Sequence, residues 1–250
     1  MWRRPEHLRI VSLLRGMNAP WLLENRCWFG GGTAVVLTHG EYRVSRDVDF
    51  LCDDVLGYRE LRSMAIREGA KGFFRGNVEQ VRDVRVDQYG VRMCVALDGI
   101  PIKVEIIREA RISLSGSLNS LLGVPVLSTT HLMAEKLLAN ADRGEDPSIA
   151  HRDAVDLGFL VLGAGGDLSP EACEMALRAY GEDVLKKLFL ALEHLGRQEE
   201  RRRSAMTLGM ELDDVDRAIM ALRRAVYRRW PPVPGLEAEQ APGSGDCAPG

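Results

Sequence analysis

The chain has 250 residues, of which 46% are hydrophobic and 28% are charged, and its formal net charge is −3 at pH 7. This composition is typical of a soluble globular protein with one large or two small domains, and so small a net charge argues neither for nor against a nucleic-acid partner. The five cysteines lack CxxC spacing, which excludes a disulfide framework and a zinc cluster. No apolar run approaches the roughly 20 residues that span a bilayer, and no secretory signal is recognisable, so we expect a cytoplasmic protein without membrane contact.

The N-terminal part of the chain predicts alternating helices and strands. Apolar residues recur at helical spacing over residues 8–14, and the apolar run 27–29 ends in three glycines, as a strand entering a tight turn would. Residues 33–38 predict a short helix, and the alternation of charged and apolar side chains over 47–52 predicts a second strand. A longer helix is expected over 56–68.

Three further strand candidates follow, at residues 81–86, 91–97 and 102–107. An Asp-Gly dipeptide, which is typical of hairpin turns, separates the last two. Residues 25–110 therefore predict a small mixed sheet with flanking helices.

The chain changes character near Pro125, and beyond this point its pattern is almost entirely helical. We therefore predict an α+β fold with a core over residues 1–125, a helical domain over 126–230 and a disordered tail, rich in proline and glycine, over 231–250. The later helices are expected at about 132–143, 148–162, 171–180, 184–195 and 212–226.

The most informative motif is a Gly-Gly-Thr turn followed by two aspartates one residue apart. Strand side chains alternate, so Asp47 and Asp49 face the same side and can hold a divalent metal ion. A turn of Gly31, Gly32 and Thr33 that opens a helix presents backbone N–H groups and a hydroxyl to phosphate. A metal site beside a phosphate cradle is typical of phosphoryl or nucleotidyl transfer, whereas a solvated strand edge with two incidental acids is the alternative.

Three further residues could complete such a site. Glu105 lies on a later predicted strand and could be a third metal ligand, or it could be a surface acid paired with a basic neighbour. If the strand begins early, the Ser45 hydroxyl faces the same way as the aspartate pair and could bind a phosphate oxygen. Arg43 could neutralise phosphate charge or pair with an acid, and both interpretations stay open.

Polar residues also line one face of a later helix. Lys136, Asn140 and Arg143 fall at i, i+4 and i+7, so they face together towards either a polyphosphate or solvent. Asp153 and Asp156 lie three residues apart on the next helix, where they could cap it, pair with an arginine or face the site.

Two blocks of this sequence together resemble a known family. The first comprises the run 31–37 and the pattern Arg-x-Ser-x-Asp-Val-Asp-Phe at 43–50, and the second comprises 134–139 with Arg143 and the run 152–157. Both blocks are similar to those of the AbiEii/AbiGii nucleotidyltransferase toxins, which belong to type IV toxin–antitoxin and abortive-infection systems, and the related MenT toxins share the motifs. The family lies within the polymerase-β-like nucleotidyltransferase superfamily. In this sequence Arg152 stands where the family usually has lysine.

The resemblance implies roles for the matching positions. Asp47 and Asp49 would ligate Mg²⁺, for which Mn²⁺ could substitute, and Ser45 would lie at the nucleotide phosphates. Lys136 would contact the triphosphate, and Asp153 would be a further essential acid. The predicted core would be a polymerase-β-like catalytic domain, and the helical domain would complete its active-site cleft.

The implied reaction transfers a nucleoside monophosphate from an NTP to an RNA acceptor, with release of pyrophosphate. The resemblance favours the tRNA 3′ end as acceptor, growth inhibition as the effect and a cognate antitoxin as a partner. Transfer to a small molecule, such as an aminoglycoside, or to a protein is the alternative within the same chemistry. A non-catalytic module that binds a nucleotide or a partner is the alternative of another class, which the retained carboxylate pair disfavours.

Overall fold

A computed structural model describes residues 2–231 of the chain. Within this range, ten α-helices combine with one eight-stranded mixed sheet, so the predicted α+β fold class is confirmed. Residues 232–250 of the predicted tail lie outside the described residues.

The first elements follow the predicted order with one addition. Their bounds are α1 Pro5–Gly16, α2 Ala19–Glu24, β1 Cys27–Gly30, α3 Gly31–Thr38, β2 Val48–Cys52 and α4 Val55–Glu68. The unpredicted element is α2, whose six residues are too few to show an apolar helical period. At the start of α4, the Asp54 carboxylate accepts a hydrogen bond from the Gly57 backbone N–H, which explains where this helix begins.

The remaining strands differ more from the predictions. They are β3 Glu79–Gln80, β4 Arg85–Val86, β5 Gly90–Leu97, β6 Ile100–Arg108, β7 Gly116–Asn119 and β8 Val124–Leu127. The predicted pair joined by the Asp-Gly turn is confirmed as the β5–β6 hairpin. The single strand predicted over 81–86 is wrong: two-residue strands lie on either side of a largely exposed segment, and both pair with β5.

The sheet order is β3-β5-β6-β2-β1-β8-β7. The short strand β4 pairs with β5 in addition. The pairings of β2 with β6 and of β1 with β8 are parallel, and the other pairings are antiparallel. The central strand β2 therefore runs between β1 and β6, which places the aspartate motif in the middle of the sheet.

The later helices agree with the predictions except at two places. They are α5 Thr129–Arg143, α6 Arg152–Gly163, α7 Pro170–Tyr180, α8 Asp183–His194, α9 Gln198–Leu208 and α10 Leu212–Arg229. α6 begins four residues later than predicted, because residues 147–149 form a 3₁₀ turn and the next two residues adopt left-handed backbone angles. The unpredicted α9 is strongly polar, so its sequence shows only a weak apolar period.

The helices and the sheet share one hydrophobic core. Its buried side chains run from α1 to α10 as a single cluster, and α6 packs against α3, α5 and α10. The predicted domain boundary at 125/126 falls inside β8, so the sheet continues two residues into the segment assigned to the helical domain. In the part of the chain that the structure describes, no helix is long and apolar enough to cross a membrane.

Candidate active site

Three predicted acids meet where β2 runs between β1 and β6. Asp49 lies on β2 opposite Gly30 of β1 and Glu105 of β6, and Asp47 directly precedes the strand. Because side chains alternate along a strand, Asp47 and Asp49 leave the chain on the same side. Both line a cleft of about 380 Å³ whose walls come mainly from the sheet, α3 and α5.

Most of the predicted site residues line this cleft. They are Gly31, Gly32, Arg43, Ser45, Asp47, Asp49, Glu105 and Lys136. The other two, Thr33 and Asp153, are buried behind the wall, each with an exposed fraction of 1%. The structure thus brings the two sequence blocks together, although more than 80 residues separate Asp49 from Lys136.

The start of α3 approaches the aspartates so closely that only glycine fits. Gly31 has φ of +65°, and a Cβ atom there would lie 2.6 Å from Asp49 Oδ2. The N-cap residue Gly30 offers no side chain to the first turn of α3. The free N–H groups of this helix start therefore lie beside the carboxylates, where they can bind an anion.

The Thr33 hydroxyl does not face the cleft, contrary to the expectation that it contacts phosphate. It donates a hydrogen bond of 2.5 Å to the Asp47 backbone carbonyl, and it shares a hydrogen bond of 2.7 Å with the Ser45 hydroxyl. Thr33 therefore positions the segment that carries Ser45 and Asp47, and its own oxygen is already used.

Replacement of Thr33 by valine tests this positioning. Thr33→Val is expected to reduce the rate of nucleotidyl transfer by about 10- to 100-fold, because a displacement of the Ser45–Asp47 segment misplaces groups at the reaction centre. The free energy of unfolding should fall by only about 1 kcal/mol. Thr38→Val is the matched control, since the Thr38 hydroxyl bonds back to Ala34 within the same helix, and its transfer rate should match the wild type. Equal effects of the two variants would contradict the positioning role.

The aspartate pair carries uncompensated negative charge. Burial, together with the nearby charges of Asp47 and Glu105, raises the pKa of Asp49 to about 6. Carboxylate oxygens crowded in this way are the donors that Mg²⁺ prefers, and a divalent cation would relieve their repulsion. The donor set therefore fits a divalent metal ion held by Asp47 and Asp49.

Glu105 forms ion pairs with basic side chains, whereas one prediction made it a third metal ligand. Its carboxylate pairs with Lys103 Nζ at 2.5 Å and with Arg92 Nε at 3.2 Å. No group of three histidine, cysteine, aspartate or glutamate side chains within residues 2–231 is arranged to hold a metal ion. The structure thus offers two carboxylate ligands rather than three, and Mg²⁺ commonly completes its shell with phosphate and water oxygens.

The raised pKa of Asp49 predicts how stability depends on pH. The pKa of Asp49 is about 6 in the folded protein against a usual 3.8, so the free energy of unfolding falls as the pH rises through this window. In metal-free buffer at pH 8, Asp49→Asn is therefore expected to raise the free energy of unfolding by about 1–3 kcal/mol, and this gain should shrink towards pH 4. Urea denaturation at both pH values measures it.

The control for this experiment is Asp98→Asn, in the exposed turn between β5 and β6. It removes the same charge from the protein and is expected to change the free energy of unfolding by less than about 0.5 kcal/mol. If the free energy of unfolding of Asp49→Asn at pH 8 is equal to or lower than that of the wild type, the ionised Asp49 carboxylate does not destabilise the folded protein.

Behind the cleft lies a buried network of ion pairs. Lys136 Nζ contacts Asp153 Oδ1 at 2.9 Å and Asp156 Oδ2 at 2.7 Å. Arg143 Nε donates to Asp153 at 2.8 Å, and Arg43 Nε and Nη2 donate to the two oxygens of Asp156 at 2.7 and 2.8 Å. We call Lys136, Arg43, Asp153 and Asp156 the buried ion network; Arg143, whose side chain is 42% exposed, pairs with this network at Asp153.

The buried ion network decides two alternatives that the sequence leaves open. Lys136 is only 3% exposed, so its helix face is turned towards the cleft wall and not towards solvent. The guanidinium of Arg43 is paired with an acid, although Arg43 also lines the cleft. Burial alone would raise the pKa of Asp153, but the charge of Lys136 and the bonds from Arg143 hold it well below its usual range.

Six charged cleft residues are missing from the predicted site. They are Lys103, Arg111, Glu135, Asp142, Arg143 and Arg152. Lys103 had a signal in the sequence, because it alternates with Glu105 along one strand, and Glu135, Arg143 and Arg152 lie in the second sequence block. The other two are brought to the cleft by the chain that follows β6 and by α5, so no local pattern marks them.

A second cavity of about 670 Å³ adjoins the cleft. Both cavities are lined by Arg43, Ser45, Asp47 and Arg152, so they meet beside the aspartate pair. The second cavity continues past Arg46 towards the end of α9. A ligand in the second cavity would therefore reach the same carboxylates as a ligand in the cleft.

An aspartate pair beside a glycine-rich helix start in the middle of a mixed sheet is an arrangement typical of phosphoryl or nucleotidyl transfer. The sequence matches the profile of the family described as "Nucleotidyl transferase AbiEii toxin, Type IV TA system" over residues 12–225. The chain belongs to this family and is a nucleotidyltransferase. The resemblance inferred from the two sequence blocks is thereby confirmed.

Solved structures support the fold. A proposed nucleotidyltransferase from H. pylori is 16% identical, with a TM-score of 0.50 over 89% of this chain and 94% of that chain. The protein JHP933 from Helicobacter pylori is 17% identical, with a TM-score of 0.51 over 91% of this chain and 94% of that chain. A comparison with curated proteins found no match. Likeness at this level of identity shows the shared fold alone.

Proposed function

We propose that the protein transfers a nucleoside monophosphate from an NTP to an RNA acceptor, with the tRNA 3′ end as the preferred site, in the cytoplasm. The observation that carries this proposal is the convergence of Asp47, Asp49, the start of α3 and Lys136 on one cleft. Membership of a type IV toxin family supports growth inhibition as the outcome and a cognate antitoxin as a partner.

The chain offers several groups to the triphosphate. The backbone N–H groups at Gly31 and Gly32 can donate to phosphate oxygens. The Ser45 hydroxyl donates to Thr33 Oγ1 in this structure, and it would donate to phosphate only after turning away from Thr33. Lys136 of α5 also lines the cleft, and its ammonium would add positive charge near the phosphates. Two acids hold Lys136 in place, so little reorganisation is needed when the phosphates bind.

Asp47 and Asp49 would hold Mg²⁺ or Mn²⁺, which would neutralise phosphate charge and make the acceptor hydroxyl a better nucleophile. In the reaction the acceptor oxygen forms a bond to the α-phosphorus, the bond from that phosphorus to the bridging oxygen breaks, and pyrophosphate leaves. The hydroxyl proton passes to water. Lys136 would stabilise the charge that develops on the leaving pyrophosphate.

The second cavity supports a polyanionic acceptor. Arg46 and Arg152 line it, and Asp47 is the acid that it shares with the cleft. An RNA strand in this cavity would place phosphates beside the two arginines and its terminal hydroxyl near the aspartate pair. Exposed Met206 at the rim offers an apolar surface on which a base can rest.

The experiment that tests this proposal incubates the purified protein with each α-labelled NTP and with tRNA, other RNA, an aminoglycoside or a protein mixture. We expect label on the 3′ end of tRNA, loss of labelling with EDTA and recovery with Mg²⁺ or Mn²⁺. Label on the aminoglycoside or on protein would show that this molecule, and not RNA, is the acceptor. NTP binding without transfer to any acceptor would overturn the catalytic proposal in favour of a binding module.

A further inference from the structure

The segment that carries Ser45 and Asp47 of the cleft forms no helix or strand. Residues 41–47 lie between α3 and β2 without a regular ladder of backbone hydrogen bonds, so their place depends on side chains from elsewhere in the chain. The buried ion network holds this segment at Arg43, and Thr33 holds it at the Asp47 carbonyl. A third contact, from α1, holds the Ser45 backbone N–H.

The third contact comes from the ring of His7, in the first turn of α1. The Ser45 N–H donates a hydrogen bond of 3.2 Å to His7 Nε2. His7 is fully buried and lines neither the cleft nor the second cavity. Ile10 and Leu14 anchor the following turns of α1 in the core, so the ring projects from a rigid element. His7 can therefore influence the cleft only through the segment that it holds.

Two observations show which nitrogen of the His7 ring carries a proton. A backbone N–H can only donate, so Nε2, which accepts from Ser45, has none. The other ring nitrogen, Nδ1, lies 2.7 Å from Glu41 Oε1. Burial acts to raise the pKa of Glu41, but hydrogen bonds from the Arg3 backbone and from His7 hold it below its usual value. Glu41 is then a carboxylate, which only accepts, so Nδ1 carries the proton and donates it to this bond.

The Glu41 carboxylate is itself held in place. Glu41 adopts φ of +56°, in the left-handed region that residues with a side chain seldom occupy. Its carboxylate also accepts from the backbone N–H groups of Arg3 at 2.6 Å and of Arg4 at 3.3 Å, which precede α1. Backbone strain of this kind persists where surrounding contacts hold it, and it is frequent at functional sites. Glu41 is thus fixed on one side of the His7 ring, and the Ser45 N–H lies on the other.

We propose that His7 is a positioning residue for nucleotidyl transfer, with Glu41 as the group that orients its ring. His7 Nε2 sets the place of the Ser45 N–H, and thereby of the backbone that leads to Asp47. The inference rests on the proposed function, because it takes Asp47 to act at the reacting phosphate. A displacement of about 1 Å at such a group lowers the rate strongly, because the reacting atoms must be aligned.

Two substitutions at His7 separate its two hydrogen bonds. In His7→Gln the side-chain oxygen can reach the position of Nε2 and accept from Ser45, whereas in His7→Asn the amide nitrogen can reach the position of Nδ1 and donate to Glu41. With α-labelled NTP and tRNA, we expect kcat to fall by about 10- to 100-fold in His7→Asn and to stay within about threefold of the wild type in His7→Gln. KM for the NTP should change by less than about threefold in both variants, since neither hydrogen bond touches the cleft.

The stability of the two variants shows whether His7 is only a structural residue. Each variant loses one buried hydrogen bond, so both should unfold at a lower temperature than the wild type. A purely structural role would lower kcat in both variants alike. A kcat of His7→Asn that equals or exceeds that of His7→Gln would therefore overturn the positioning role.

Hydrogen exchange of the Ser45 backbone N–H, followed by NMR, tests the contact without any acceptor. We expect exchange to be about 5- to 10-fold faster in His7→Asn than in His7→Gln and in the wild type. Equal exchange in the two variants would contradict the contact. In the wild type at pH 8, the nitrogen NMR shifts of the His7 ring should show a proton on Nδ1 and none on Nε2. A proton on Nε2 would overturn the inference even if neither variant folds.

Failure of this inference and failure of the proposed function are distinguishable. Equal kcat values in the two variants overturn only the role of His7 and leave nucleotidyl transfer and its acceptor intact. If the wild type transfers to no acceptor, the proposed function fails. The exchange of the Ser45 N–H and the tautomer of His7 then still decide whether His7 holds the segment.

Discussion

Replacement of Asp47 by asparagine is expected to reduce nucleotidyl transfer about 100- to 1,000-fold while the fold stays intact. The aspartate pair supplies the two carboxylates that the structure offers to a divalent cation, and the amide is neutral and a weaker ligand. Removal of one electrostatic contact at a reacting phosphate typically has an effect of this size. Transfer of α-label to tRNA measures the activity, and thermal unfolding measures the fold.

The outcome of this experiment separates catalysis from binding. Asp98→Asn removes an equal charge from the exposed turn between β5 and β6 and should transfer at the wild-type rate. Asp47→Asn should still bind NTP through the start of α3 and Lys136, with weaker affinity when Mg²⁺ is present. Full activity of Asp47→Asn would refute the assignment of the aspartate pair.

Removal of the Asp156 carboxylate is expected to have the largest effect on stability. Asp156 is fully buried and accepts hydrogen bonds from Arg43, from Lys136 and from the Tyr42 hydroxyl at 2.7 Å. Asp156→Ala leaves the Arg43 guanidinium buried without a carboxylate, and we expect the free energy of unfolding to fall by about 3–5 kcal/mol. Urea denaturation at pH 7.5 measures the loss.

A surface ion pair provides the control for this prediction. Asp214 pairs with Arg217 one helical turn away on α10, where both side chains are partly exposed. Asp214→Ala should lower the free energy of unfolding by less than about 1 kcal/mol, because an exposed ion pair is only slightly more stable than its two charges hydrated separately. A loss below about 1 kcal/mol for Asp156→Ala would show that the buried ion network is not required for the fold.

The buried ion network also predicts a link between stability and activity in this protein. Lys136 lines the cleft, and its ammonium forms ion pairs with Asp153 and Asp156. Asp153 is therefore a positioning residue in this structure rather than a group in the cleft, although the family resemblance implies that it is essential. Variants of Asp153 should reduce transfer through the placement of Lys136.

Local sequence patterns predicted the helices and strands that have a regular apolar period or a clear capping or turn residue at one end. The start of α5 follows from Ser128, whose hydroxyl accepts from the His131 backbone N–H, and the β5–β6 hairpin follows from its Asp-Gly turn. β7 and β8 are missing from the predictions because four residues each carry too little alternation. β8 pairs with β1, which lies almost 100 residues earlier in the chain, and β7 pairs with β8.

The sequence by itself determined the chemistry, because a glycine turn at 31–32 and aspartates at 47 and 49 are specified by residue type and spacing over a short stretch. Only the tertiary structure decided which groups share the cleft and how they are charged. Burial and long-range neighbours turn Thr33 away from phosphate, pair Glu105 with Arg92 and bury Lys136 between Asp153 and Asp156. The physical reason is that hydrogen-bond partners and local dielectric depend on residues distant in the chain, which no local pattern encodes.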